Sequence, residues 1–152
     1  MTILRETIDV PRPPEEAFDA VVDFSSAEVW DPGVVTAERV QEGEGHPSGI
    51  GARYRLTVTF RGAESEMTYV TTEYSRPTRV VLVGEGDRIT ATDTIEFEPT
   101  DAGGTRISYE ADLRLKGLAK VAQPLLGKAF DEMGRRAIEG MRAWFEAGSI
   151  RT

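Results

Sequence analysis

The stretch LAKVAQPLLGKAFDEMGRRAIEGMRAWF, running from Leu118 to Phe145, decides how the rest of the chain must fold. Its apolar residues are Leu118, Val121, Ala122, Leu125, Leu126, Ala129, Phe130, Met133, Ala137, Ile138, Met141, Trp144 and Phe145. They recur at the i, i+3, i+4, i+7 spacing of one helical face. Lys120, Lys128, Asp131, Arg135, Glu139, Arg142 and Glu146 fall on the other face. The spacing predicts one long helix over 118–145 whose apolar stripe needs a cover. Residues 54–115 upstream read as β-strands, so the simplest cover is an antiparallel sheet.

Working outward from that helix, strand parity fills in the sheet. Ile107, Tyr109, Ala111, Leu113 and Leu115 share one face of residues 105–115, against Arg106, Ser108, Glu110, Asp112 and Arg114. Residues 88–98 put Ile89, Ala91, Asp93, Ile95 and Phe97 on one face. Residues 52–60 do the same with Tyr54, Leu56, Val58 and Phe60, and residues 79–84 form a further strand. Residues 64–74 are ambiguous: Val70, Thr72 and Tyr74 suggest one face, Met67 and Tyr69 the other, and a bulge would reconcile them. Near the N-terminus, Leu4, Ile8 and Val10 mark a strand over 2–10. Pro13-Pro14-Glu15-Glu16 suits a helix start. Ser25-Ser26-Ala27-Glu28 opens a second short helix to Trp30. Val34 to Val40 is a second strand, followed by a glycine-rich loop around His46. The order is β-α-α-β6-α in one domain over residues 1–152. The predicted fold class is α+β, a helix-grip arrangement in which a curved, seven-stranded antiparallel sheet wraps around a long C-terminal helix; the pattern leaves open whether the two close completely or leave an internal cavity.

Composition narrows the function. The 152-residue chain has a formal net charge of −8 and no cysteine. Excess acid argues against nucleic-acid binding and against stable association with anionic membranes. No run reaches the roughly 20 apolar residues of a membrane span, and the N-terminal stretch is no signal peptide, so a cytoplasmic protein is expected. With a single histidine and no thiolate, a metal site would need carboxylates alone, and none cluster at ligand spacing. Phosphate-loop and nucleophile-elbow motifs are absent, so neither metal nor cofactor is expected. A monomer and a homodimer fit the sequence equally.

The punctuation of the chain then resembles a known group. Ile8-Asp9-Val10-Pro11 precedes Pro14-Glu15-Glu16-Ala17-Phe18, and Asp23-Phe24 precedes Trp30-Asp31-Pro32. Further on come Gly49-Ile50-Gly51, Thr72-Glu73-Tyr74-Ser75-Arg76-Pro77, Asp93-Thr94-Ile95-Glu96-Phe97-Glu98 and Gly103-Gly104-Thr105-Arg106-Ile107, then the Pro124-Leu125-Leu126 helix. Over nearly its whole length the chain resembles the START-like (SRPBCC) superfamily, in its polyketide cyclase/dehydrase and lipid-transport branch. The resemblance implies an apolar cavity between sheet and C-terminal helix. Its members include polyketide cyclases and dehydratases and binders or carriers of lipids, sterols or quinones.

Asp93 is the sharpest candidate for chemistry. Its parity places it inward, where desolvation raises a carboxyl pKa and makes a general acid or base; the alternative is a structural pairing or a place at a strand edge near solvent. Tyr54, Tyr69 and Tyr109 are candidates to aim hydroxyls at a ligand. Leu56, Val58, Ala91 and Ala111 are the candidate sheet wall. Phe130, Met133, Ala137 and Met141 are the candidate helix wall. Trp30 is either a ligand-facing wall or an anchor for the short helices. His46, in its loop, reads as solvated. Pro124 implies a bend, or a hinge for the segment before it.

Three functions follow. The first is a non-catalytic binder or carrier of a small hydrophobic molecule, such as a lipid or polyketide. The second is a polyketide cyclase, aromatase or dehydratase acting through Asp93 and a cavity tyrosine. The third is a partner-binding or stress-type module whose filled core holds no ligand.

Overall fold

In the computed structural model, residues 1–148 are described; the last four residues of the domain expected over 1–152 lie outside them. The chain runs β1 (Thr2–Val10), α1 (Pro14–Val22), a 3₁₀ turn (Phe24–Ser26), α2 (Ala27–Trp30), β2 (Val34–Gln41), β3 (Arg53–Phe60), β4 (Ala63–Ser75), β5 (Arg79–Gly86), β6 (Ile89–Pro99) and β7 (Thr105–Leu115). A 3₁₀ segment (Gly117–Leu125) and α3 (Gly127–Glu146) complete it. The sheet order is β1-β7-β6-β5-β4-β3-β2, and each neighbouring pair is antiparallel. This is the helix-grip order expected from the sequence.

Local chemistry explains the punctuation. α1 opens on Pro14, whose missing N–H is no loss in a first turn, with Glu15 and Glu16 at the positive end of the helix. Trp30 ends α2, and its Nε1 donates to Ser26 Oγ at 3.0 Å. The ambiguous strand resolves as a bulge between Thr71 and Glu73. Before it Met67, Tyr69 and Thr71 point inward, and after it Tyr74 takes over the inward parity, its ring edge-on to Phe18 at 5.3 Å.

The long helix expected over 118–145 is shorter than its apolar pattern. α3 begins only at Gly127, because Pro124 lacks a donor and disfavours helical geometry at the preceding residue. Leu118, Val121 and Leu125, expected to pack on the sheet, are 93, 80 and 84 % exposed. What holds this 3₁₀ strap is Gln123. Its side-chain carbonyl accepts from Leu115 N at 3.1 Å, and its Nε2 donates to Leu113 O at 2.8 Å and Thr2 Oγ1 at 3.0 Å. β1 pairs with β7 only as far as Thr2 and Leu113, so Gln123 satisfies the backbone of β7 where its neighbour runs out.

α3 approaches its supports at glycines. A Cβ on Gly140 would overlap the Trp30 carbonyl, and one on Gly134 would lie 3.2 Å from Leu4 Cδ1. The interior therefore has two halves. Under α1 the inward residues are large and close-packed: Phe18 meets Phe97 edge-on at 5.3 Å, with Val80, Ile95 and Ile107 fully buried around them. Under α3 the same strands present Ala91, Ala111 and Leu113 toward Gly134 and Ala137, and here the layers do not close.

Candidate functional site

The gap between α3 and the sheet is a cavity of about 1030 Å³. β1 supplies Leu4 and Glu6, and β3 supplies Leu56, Val58 and Phe60. β4 gives Met67 and Tyr69, and β6 gives Ile89, Ala91 and Asp93. β7 gives Tyr109, Ala111, Leu113 and Leu115, while α3 gives Phe130, Met133, Gly134, Ala137 and Ile138. The mouth is bounded by the β3–β4 hairpin (61–66), the β5–β6 hairpin (86–88), and the strap residues Ala119, Ala122 and Leu126. Phe60 stacks on Phe130 at 4.9 Å, tying the sheet to α3 beside it.

A polar cluster interrupts this apolar wall. Asp93 is 5 % exposed. The Tyr109 hydroxyl donates to its Oδ2 at 2.5 Å. Burial pushes the Asp93 carboxyl up from an ordinary 3.8 to about 7; the Tyr109 bond opposes this and the Asp31 carboxylate adds to it. Asp31, at the end of α2, also turns into the cavity. Burial raises it to about 6, against a bond from Gly33 N to Oδ1 at 2.8 Å. Both Tyr109 and Tyr69 are pushed well above 10.0, first by burial and then by Asp93. Tyr69 lies flat over Gly84: a Cβ there would sit 2.5 Å from its ring, so only glycine leaves the tyrosine this position. Among the described residues, the only cations on the cavity lining are Arg61 and Arg88, at the hairpin tips.

Of the residues expected from sequence, Asp93, Leu56, Val58, Tyr69, Ala91, Tyr109, Ala111, Phe130, Met133 and Ala137 stand together on the cavity wall. Trp30, Tyr54 and Met141 do not. They are 2, 0 and 0 % exposed in the packed core, where the Tyr54 hydroxyl donates to Val22 O at 3.4 Å and Trp30 lies edge-on to Tyr109 at 6.1 Å. Trp30 is thus an anchor that supports the site from behind. His46 is exposed, stacked on Tyr74 at 5.6 Å. Sequence reasoning missed Glu6 and Asp31. Glu6 shares the parity of Leu4 and Ile8 and lies opposite Tyr109 in register, so parity alone was a usable signal. Asp31 carried no such signal, because its bond to Gly33 looks like ordinary turn chemistry.

This geometry can enclose an apolar molecule and present it with two desolvated carboxyls and two hydroxyls. Residues 1–146 match the family described as polyketide cyclase / dehydrase and lipid transport. No curated protein matches the chain in sequence. Among solved structures, a START superfamily protein from Mycobacterium smegmatis superposes with a TM-score of 0.83 at 15% identity, over 98% of this chain and 100% of that one. A protein from Thermus thermophilus gives 0.80 at 20% identity, over 97% and 99%. The Zhui aromatase/cyclase from Streptomyces sp. R1128 gives 0.74 at 12% identity, over 96% and 92%. These likenesses are of fold.

Proposed function

The chain belongs to the polyketide cyclase / dehydrase and lipid-transport family, and from that premise we propose that it binds a small hydrophobic molecule, lipid- or polyketide-like, between sheet and α3 as a non-catalytic carrier. The observation that carries this reading is the cavity itself. At about 1030 Å³ it stands at the upper end of the roughly 300–1,000 Å³ range of ligand pockets, and its wall is mostly aliphatic and aromatic. The filled-core alternative has no counterpart to such a void. The test is a fluorescence titration with N-phenyl-1-naphthylamine. Saturable binding of one probe per chain is expected, and it disappears in Ala137→Trp and in Ala111→Phe, both of which fill the cavity from opposite walls. Equal binding by the wild type and both variants would reject the reading.

One observation favours a second reading, acid–base catalysis on a polyketide-like substrate. A carboxyl held near pH 7 and hydrogen-bonded to a tyrosine can take a proton from carbon beside a carbonyl and return it to oxygen. Asp31 supplies a second titrating group nearby. Under this reading Asp93→Asn binds the naphthylamine probe normally yet loses turnover of a linear polyketone. Under the carrier reading neither protein turns it over.

A further inference from the structure

The strap Gly117–Leu125 has two apolar rows. In a 3₁₀ helix residues three apart eclipse one another, which aligns Leu118 with Val121 and Ala119 with Ala122, while Leu125 and Leu126, each four residues on, are sorted by exposure and by place on the cavity wall. Ala119 and Ala122 form one row, continued by Leu126, and line the cavity mouth. Leu118 and Val121 form the other, continued by Leu125, and this row is 80 to 93 % exposed. No other large apolar side chain among the described residues is as open to water.

The charge around this ridge is opposite to that of the molecule. Residues 113–130 contain Arg114, Lys116, Lys120 and Lys128 and no acid, in a chain whose net charge is −8. All three lysines of the chain lie here; every other basic residue apart from His46 is arginine. Lys116 is held by Glu85 Oε2 at 2.7 Å and Gly86 O at 2.8 Å, and Arg114 by Asp112. Lys120 and Lys128 take part in no ion pair among the described residues, and both are exposed. The two hairpin tips that complete the mouth are mixed, with Arg61 and Arg88 beside Glu64, Glu66 and Asp87. The positive edge of the mouth therefore runs from the strap into the first turn of α3, ending where Asp131 and Glu132 follow Lys128.

We propose that the strap is a reversible docking element for an anionic lipid bilayer, with Leu118, Val121 and Leu125 dipping into the interface and Lys120 and Lys128 meeting the headgroups. The whole-chain acidity that argues against membrane binding acts weakly here, because charges more than about 8 Å away are screened at physiological salt. Lysine suits this position: its apolar stem can follow the ridge while its ammonium stays with the headgroups. Docking by this edge sets the cavity mouth against the bilayer, so that an apolar molecule passes between lipid and cavity beside Ala119 and Ala122. That use rests on the ligand reading above; the docking itself does not.

The test is flotation of the intact protein, with no ligand added, on vesicles of equal parts phosphatidylglycerol and phosphatidylcholine, and on phosphatidylcholine alone. The wild type is expected to float with the anionic vesicles and to be released by salt. Lys120→Gln with Lys128→Gln is expected to weaken binding by about fivefold per lysine. Leu118→Ser with Val121→Ser and Leu125→Ser is expected to abolish flotation with little change in melting temperature, since these side chains are 80 to 93 % exposed. No flotation by the wild type, or undiminished flotation by the triple serine variant, overturns the proposal. So does a concentration-dependent dimer in sedimentation equilibrium that the serine variant loses while flotation is absent, which would make the ridge a self-association surface. Naphthylamine binding that persists in any of these cases leaves the cavity reading standing.

Discussion

Replacing Asp93 by asparagine should change how stability depends on pH, and by an amount the structure sets. The carboxyl is raised from 3.8 to about 7, chiefly because folding strips it of water. A raised acid binds its proton more tightly when folded, so stability falls as pH rises between the unfolded and folded values. Well below pH 3.8 both states are protonated and nothing is lost. Well above pH 7 both are ionised and the full destabilisation applies, on the order of 4 kcal/mol at 1.36 kcal/mol per pKa unit. An asparagine side chain cannot ionise, so the variant lacks this slope. Its amide imposes a fixed, pH-independent offset, and the titration of Asp31 is present in both proteins. Urea unfolding at pH 5 and pH 8.5 should therefore show the variant gaining about 3 kcal/mol on the wild type across that interval. A constant difference between the two proteins at both pH values would refute the claim that Asp93 is desolvated and without a cation.

Three further outcomes follow from the same contacts. Gly140→Ala would gain roughly 1 kcal/mol from helix propensity alone, but its Cβ collides with the Trp30 carbonyl, so a lower melting temperature is expected. Tyr109→Phe removes the donor that holds the Asp93 carboxylate down, so the pH at which the Asp93 carboxyl resonance titrates by NMR should move up. Gln123→Leu strands Leu115 N–H and Leu113 C=O, at about 1–3 kcal/mol for each buried group left unpaired, and hydrogen exchange over residues 117–125 should accelerate.

Strand parity made most of the sheet legible. β6 and β7 alternate without a break, so Asp93, Tyr109, Ala91 and Ala111 could be placed on one face from their numbers alone. What parity does not say is whether an inward residue meets another residue or a void. Tyr54 and Trp30 point inward, as expected, but the residues facing them are large. Ala91 and Ala111 face Gly134 and Ala137, and there a space is left. That distinction depends on which helix lies opposite, which is a tertiary fact. The strap failed for a related reason. Leu118, Val121 and Leu125 repeat with helical spacing, but the same spacing serves a ridge turned to solvent, and Pro124 with Gly127 moves the start of regular helix past them. Asp31 was hidden because a turn already explained it; its place on the cavity wall is a tertiary fact that no local pattern carries.

Native mass spectrometry of the protein purified from its own host without detergent asks whether the cavity holds a hydrophobic ligand. A population heavier than the bare chain by one small molecule is expected, which extraction into organic solvent removes and which Ala137→Trp fails to retain. A wild-type protein that arrives only at its bare mass, and stays there after incubation with fatty acids and aromatic polyketones, would contradict it.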